Sequence, residues 1–489
     1  MGFLVLICLL VGITYLINKY SKANELSKSD ILIGWVVKLA FGGLYLYIFL
    51  YYYGDGNLYG DSYSFFKDSK LLSQLAIAEP FEYFKLLFGF NDVVSPTALP
   101  YLEETHLWSY NGSGDFINDN RLILKVNSII HLISFNNLYV HSLLHVLLSF
   151  IGIKLLYGAF SDYVKRKKLF WYALVCLPSL SFWSGAILKE SLLVFGLGML
   201  FFSLRKLKSR VSFNYLLMFF FGVLFITYNK PYTGLIVFPL SLLLLVGEYY
   251  SWSIVKLKVV SVLILFSFIF LMFAPSKINL TNKVTMKQKD LINLGKGGVF
   301  FITDSSFCFF DYKLNSNFEM VSDSLIKVNV ESDGEYKLFG TYKFNPFTIP
   351  KSDKTYAHYL SQIPSTSYFE AESINFSVSQ LIKKIPSNLL NVHLRPFPWD
   401  NGNDLKWFAF IQNILLIFLV AFSIFNKKLL VNKDKWMLFV LILSSFFITQ
   451  LIGWTTPIFG AIVRYKVPVD LFIIIISFIL LKSKEHEKN

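Results

Sequence analysis

A chain of 489 residues with 54% hydrophobic and only 16% charged residues, and a mean hydropathy of +0.52, falls outside the soluble globular class, whose members carry about a quarter charged residues to cover their surface. Its 51 Phe, 28 Tyr and 9 Trp residues exceed what one water-soluble core could hide. The formal charge of +14 would suggest nucleic acid on a soluble surface, but here it falls mostly in short loops between apolar segments, which excludes that partner. Three cysteines, with Cys8 and Cys176 inside apolar runs, exclude a disulfide framework or a cysteine-rich metal site.

A spanning helix needs about 20 mostly apolar residues. In chain order, eleven segments approach this: 3–18, 31–53, 138–160, 169–183, 191–204, 213–228, 235–248, 259–273, 407–425, 436–452 and 467–481. The reading is an all-α polytopic membrane protein of about eleven transmembrane helices, with a mixed α/β extracytoplasmic insertion. It divides into two amino-terminal spans (1–53), an extracytoplasmic loop (54–137), central spans (138–273), a large extracytoplasmic domain (274–406) and carboxyl-terminal spans with a cytoplasmic tail (407–489).

Segment 54–137 holds two amphipathic stretches, 64–75 and 81–88, with the character of helices lying at the membrane interface. In the second long segment, 299–310 and 325–344 read as strand-like. There Ser332-Asp333-Gly334-Glu335 gives an Asp-Gly hairpin signal. The stretch 356–390 reads as helix broken by prolines.

Orientation follows from basic residues, which bias their loops toward the cytoplasm. Alternate connections carry Lys19, Lys22 and Lys28; residues 165–168; residues 205–210; Lys256 and Lys258; residues 427–435; and residues 482–488. The amino terminus is therefore expected outside and the carboxyl terminus inside.

Ionisable residues beside spans are expensive, so each is a candidate for function. The external span ends hold Asp55 and Asp61 in a Gly-rich turn, Lys189-Glu190 in another turn, Lys230 before Pro231, Arg395 to Asp400 in an Arg-Pro-Phe-Pro-Trp-Asp run, and Arg464 before the last span. Lys189 and Glu190 either pair with each other or face a substrate. Carboxylates and cations gathered at one lipid-level cleft suit a phosphate leaving group and a hydroxyl acceptor that needs a base. His141 and His145 lie four apart on one helix face, a spacing that suits a metal. With no carboxylate near them in sequence, packing is expected there. No metal or organic cofactor is indicated.

The acidic cluster in the first long external loop, with many spans around it, resembles the polyprenyl-dependent glycosyltransferases of the C-type fold. The phrases Pro178-Ser-Leu-Ser-Phe-Trp183 with Lys189-Glu190, Arg395 to Asp400, and Arg464-Tyr-Lys466 resemble O-antigen-polymerase-like membrane proteins of surface-polysaccharide assembly. The resemblance implies Asp61 or Asp55 as catalytic base, and Arg395 and Arg464 on the lipid phosphate. Lys189, Glu190, Lys230, Trp399 and Asp400 would then line the substrate. The expected partners are a polyprenyl-linked glycan donor and a glycan or lipid-linked acceptor. The expected function is a glycosyltransferase, first a polymerase of repeat units; the alternative is a flippase or polysaccharide transporter.

Overall fold

The computed structural model describes residues 1–482 except 21–24, 90–95, 110–117, 251–252, 254, 257–258, 262–279, 304–305, 323–324, 339–344, 361–363, 373 and 375–377. The chain is mostly helical. Among the described residues, five helices are long and apolar enough to cross a membrane: Gly2–Tyr20, Lys28–Tyr52, Leu138–Phe160, Lys406–Phe425 and Asn432–Thr455. Phe213–Asn229, Pro231–Gly247 and Val467–Leu480 are shorter and apolar, and Lys189–Ser209 is apolar between charged ends. Most of the segment 259–273 lies outside the described residues.

The helix from Lys28 starts where Ser27 and Asp30 close a reciprocal capping box. Leu138–Phe160 and Lys189–Ser209 run against each other at Gly152 and Gly198. A Cβ on Gly198 would lie 2.4 Å from the Gly152 carbonyl oxygen, so only glycine permits this approach. Small residues bring apolar helices close where solvent gives no drive to associate.

The apolar segment 169–183 is not one helix. It divides into Lys167–Cys176 and Pro178–Trp183, because Pro178 lacks the amide hydrogen that a continuous helix needs and holds Leu177 extended. The short piece is bound at both ends. Lys38, fully buried in Lys28–Tyr47, donates to the Ser181 carbonyl at 3.1 Å and to Ser184 Oγ at 2.8 Å. At the other end Ser179 donates to Asp470 Oδ2 at 2.9 Å, and its amide donates to Gln412 Oε1 at 2.6 Å.

Segment 54–137 is a packed helical layer. Helices Asp61–Ala78 and Pro80–Phe88 match the two amphipathic stretches, and Arg121–Ser134 adds a third. Tyr45, Phe65, Leu72, Ile123, Leu124 and Ile187 form a core beneath that layer. Their burial shows that the layer sits on the bundle itself.

A seven-stranded antiparallel sheet lies within residues 299–360. Its strands are β1 Val299–Ile302, β2 Ser306–Phe310, β3 Phe318–Ser322, β4 Leu325–Val328, β5 Ser332–Leu338, β6 Asn345–Ile349 and β7 Ser352–Leu360. Their order across the sheet is β3-β4-β7-β1-β2-β5-β6. The expected hairpin at Ser332-Asp333-Gly334-Glu335 is instead inside β5. Gly334 is there because the Phe310 ring lies 2.5 Å from where a Cβ would sit, so the glycine answers a close approach and not a turn. The helix expected over 356–390 also differs: 352–360 is strand β7, and Val378–Lys383 and Ile385–His393 are the described helices there.

Ion pairs sort to two ends of the helical bundle. At one end Glu25 meets Lys167 and Asp30 meets Lys168, while Asp162 meets Arg205 and Asp434 meets Lys428. Lys189–Ser209 joins the two ends: Arg205 closes it here, and Lys189 and Glu190 open it at the other.

Candidate functional site

Four elements carry the charges of that other end. Gly60, with φ +71°, turns the chain into Asp61–Ala78 and puts Asp61 on its first turn. Ser62 fixes the backbone: its Oγ lies 2.8 Å from Tyr45 Oη and donates to the Ile187 carbonyl at 3.2 Å. Ala186, Ile187 and Leu188 are buried, so the next two residues, Lys189 and Glu190, start their helix inside the protein. Lys230 stands between Phe213–Asn229 and Pro231–Tyr249. Arg464 lies near the end of Phe459–Tyr465, just before Val467–Leu480.

These residues form one network. Arg464 Nη1 donates to Asp61 Oδ2 at 2.5 Å, and Arg464 Nε lies 3.0 Å from Glu190 Oε1. Lys230 Nζ is 3.2 Å from the same Glu190 oxygen and 4.1 Å from the centre of the Tyr465 ring. Glu190 is held between these two cations, with 1% of its side chain accessible. Lys189 pairs with Asp119 Oδ1 at 2.5 Å, which corrects the reading of Lys189 and Glu190 as partners of each other. They are also the first turn of a helix rather than a loop. Lys287, on Leu280–Lys296, adds its field to Asp119 and Lys189.

Exposure within this network is uneven. Arg464 and Glu190 are shielded, but 54% of the Asp61 side chain and 26% of the Asp119 side chain are accessible. Both carboxylates are therefore reached by solvent while their cations are shielded. The surrounding protein opposes ionisation of Asp61, yet Arg464, then Lys189 and Lys230, outweigh it and hold the carboxyl below the usual carboxylate range. Asp119 is depressed in the same way: desolvation works against it, and Lys189, Lys287 and Lys230 prevail. Both are carboxylates at neutral pH, available as acceptors and not as acids.

The remaining sequence candidates stand elsewhere. Asp55 is exposed at φ +45° in its Gly-Asp-Gly turn and has no ion pair among the described residues. Arg395 spends its planar fork on Asp400, at 2.9 Å and 2.5 Å, beside the stacked rings of Phe369 and Phe459. Asp400 also accepts from the Phe397 amide at 2.7 Å, so the pair ties the Arg-Pro-Phe-Pro-Trp-Asp run into a closed loop. Trp399 projects from it, 77% exposed and stacked on Phe397. Arg395 and Arg464 thus sit at opposite ends of Phe459–Tyr465 and face different partners. A cleft of about 620 Å³ lies beside this loop, lined by Gly295, Ser365, Tyr368, Glu370 and Asn401, and no member of the charge network lines it.

His141 and His145 are buried and hydrogen-bonded. Asn127 Oδ1 lies 2.8 Å from His141 Nδ1 and 3.2 Å from His145 Nε2, while Ser134 and Ser191 take the other ring nitrogens. Among the described residues no group of three His, Cys, Asp or Glu could hold a metal ion.

Sequence reasoning missed Asp119 and Lys287. A signal for Asp119 was present: Asn118-Asp119-Asn120 precedes the apolar run of Arg121–Ser134, a polar entry into a helix.

Fold and site together describe a mostly helical chain, with helices long and apolar enough to cross a membrane, that gathers a network of paired charges around Arg464. Compared with protein-family models, characterised proteins and solved structures, the chain matches none.

Proposed function

We propose that the chain is an integral membrane glycosyltransferase of a bacterial cytoplasmic membrane. It takes a polyprenyl-linked sugar or oligosaccharide on the extracytoplasmic face, in assembly of a surface polysaccharide. In this reading about eleven spans cross the membrane, the amino terminus is outside, and the segments 54–137 and 274–406 are external. The observation that carries the reading is Arg464, shared between a shielded Glu190 and a solvent-reached Asp61. A base and a phosphate-binding cation then stand side by side at a bundle end.

The chemistry follows from that pairing. The donor's polyprenyl tail stays among the apolar helices, and its phosphate meets Arg464 and Lys230. An acceptor hydroxyl beside Asp61 gives its proton to that carboxylate as its oxygen bonds to the anomeric carbon. The bond from that carbon to the phosphate oxygen breaks, and the electron pair leaves with the phosphate. Arg464 stabilises the charge developing there, with a fork that matches a phosphate edge.

The activity is tested with purified protein in lipid nanodiscs, a polyprenyl-linked donor and a glycan acceptor. Formation of a new glycosidic bond is expected. Movement of lipid-linked glycan across a proteoliposome membrane with no bond formed would replace this reading with a flippase.

Topology is tested separately, in a background lacking Cys8, Cys176 and Cys308. A cysteine replacing Asn317 is expected to react with an impermeant thiol reagent in intact cells. Cysteines replacing Ser212 or Leu430 are expected to react only after permeabilisation. The reverse pattern would put the charge network on the cytoplasmic side and exclude an extracytoplasmic donor.

A further inference from the structure

We infer that Asp61 and the donor phosphate compete for Arg464, so that donor binding itself releases the base. The inference rests on the glycosyltransferase reading and adds an order of events to it. Three carboxylates (Asp61, Asp119, Glu190) face Lys189, Lys230 and Arg464, with Lys287 adding its field on the Asp119 side. Arg464 itself already carries two of those carboxylates, Asp61 and Glu190. A phosphate binding the same guanidinium adds a third anion to it, and one carboxylate has to leave.

Asp61 is the one able to do so. Glu190 is shut in, with 1% of its side chain accessible, and Asp119 is held by Lys189 with 26% accessible. Asp61 has 54% accessible, and its carboxylate contacts Arg464 through one oxygen. Its backbone has no need to move, because Ser62 is anchored on Tyr45 and on Ile187. A change of side-chain rotamer is enough. Glu190 stays behind, 3.0 Å from Nε, while the Nη1 that Asp61 held becomes available.

Before the donor arrives, Asp61 is a carboxylate neutralised by an arginine and a poor proton acceptor. Once phosphate takes the Nη edge, Asp61 loses its cation, gains basicity and stands free beside the anomeric carbon. The acceptor hydroxyl is then activated only when a donor is present to receive it, and water is not activated in an empty site.

The test is equilibrium binding of undecaprenyl phosphate to full-length protein in nanodiscs. Asp61→Asn and Asp61→Ala are both expected to bind it about five- to tenfold more tightly than wild type, since each removes the competing charge. Asp61→Glu, which restores the charge, is expected to return affinity toward wild type. Unchanged or weaker binding by both neutral variants, with wild-type binding measurable, would overturn the competition and leave the glycosyltransferase reading standing. Failure of every form to bind polyprenyl phosphate would overturn both. Size-exclusion profiles and thermal midpoints of the variants identify any loss that comes from misfolding.

Discussion

Asp61→Asn is expected to abolish glycosyl transfer while the protein still folds and inserts. The substitution keeps the size of the side chain and one oxygen for Arg464, but it removes the group that accepts the hydroxyl proton. General-base catalysis contributes roughly 10²- to 10⁴-fold, so turnover of purified protein should fall by about that factor. Asp55→Asn is the control. Asp55 is exposed, at φ +45°, and has no ion pair among the described residues; asparagine accepts that backbone conformation as readily as aspartate. Its turnover should stay within about twofold of wild type, a change of no more than about 0.4 kcal/mol in barrier. Time courses of product formation with a polyprenyl-linked donor separate the cases. Near-normal turnover by Asp61→Asn would remove it as the base. Loss of turnover in Asp119→Asn alone would move the role to the other accessible carboxylate.

Arg464→Ala should damage both folding and chemistry. Glu190 is almost fully shielded, and without Arg464 it keeps a charge opposed by Lys230 alone. Breaking a buried pair by removing one partner costs about 3–5 kcal/mol. The thermal midpoint in detergent should drop accordingly, and transfer should be lost. Arg464→Lys keeps the charge but lacks a fork that reaches Asp61 and Glu190 together, so an intermediate midpoint and weak transfer are expected. Adding Glu190→Gln to Arg464→Ala removes the stranded charge and should recover much of the stability, but none of the transfer. That non-additivity is the signature of a shared network. A wild-type midpoint and normal transfer in Arg464→Ala would show that neither stability nor chemistry depends on the arginine.

The periodicity of apolar residues was enough to locate most helices, because a spanning segment has to satisfy its own backbone and announces itself by length. It did not locate the break before Pro178, since an apolar run reads alike whether it is one helix or two, and Lys38 and Asp470, which hold the broken ends, are far away in sequence. In segment 54–137 two of the amphipathic helices were legible and Arg121–Ser134 was not. Its buried face carries Asn127, Ser128 and His131 while Ile129, Leu132 and Ile133 are exposed, so apolar periodicity does not mark the face that packs. The Asp333-Gly334 pair carried a strong turn signal, but the glycine makes room for Phe310. At the site, Asp61, Lys189, Glu190, Lys230 and Arg464 were readable as charges beside apolar segments. Their pairing was not: Lys189 has its partner at Asp119, 70 positions away, and Arg464 has its partner at Asp61, 403 positions away. Arg395 reads like Arg464 in sequence, and only the five-residue closure onto Asp400 tells them apart.

In the membrane-spanning reading, the short helix Pro178–Trp183 fixes a depth. Lys167–Cys176 rises about 15 Å and Pro178–Trp183 about 9 Å, at roughly 1.5 Å per residue, enough together to reach across most of a hydrocarbon layer of about 30 Å. Sliding this segment by one residue would pull Ser179 from Asp470 and Ser184 from Lys38, leaving a polar group without its partner on each flank. The segment is therefore pinned along its length as a bolt is pinned through two plates. Ser184 stands five residues before Lys189, and the buried 186–188 turn allows little slack between them. The height at which Lys189 and Glu190 emerge is thus set by two side chains that touch no member of the charge network; in the glycosyltransferase reading, a lipid-borne phosphate and the residues awaiting it then meet at one level.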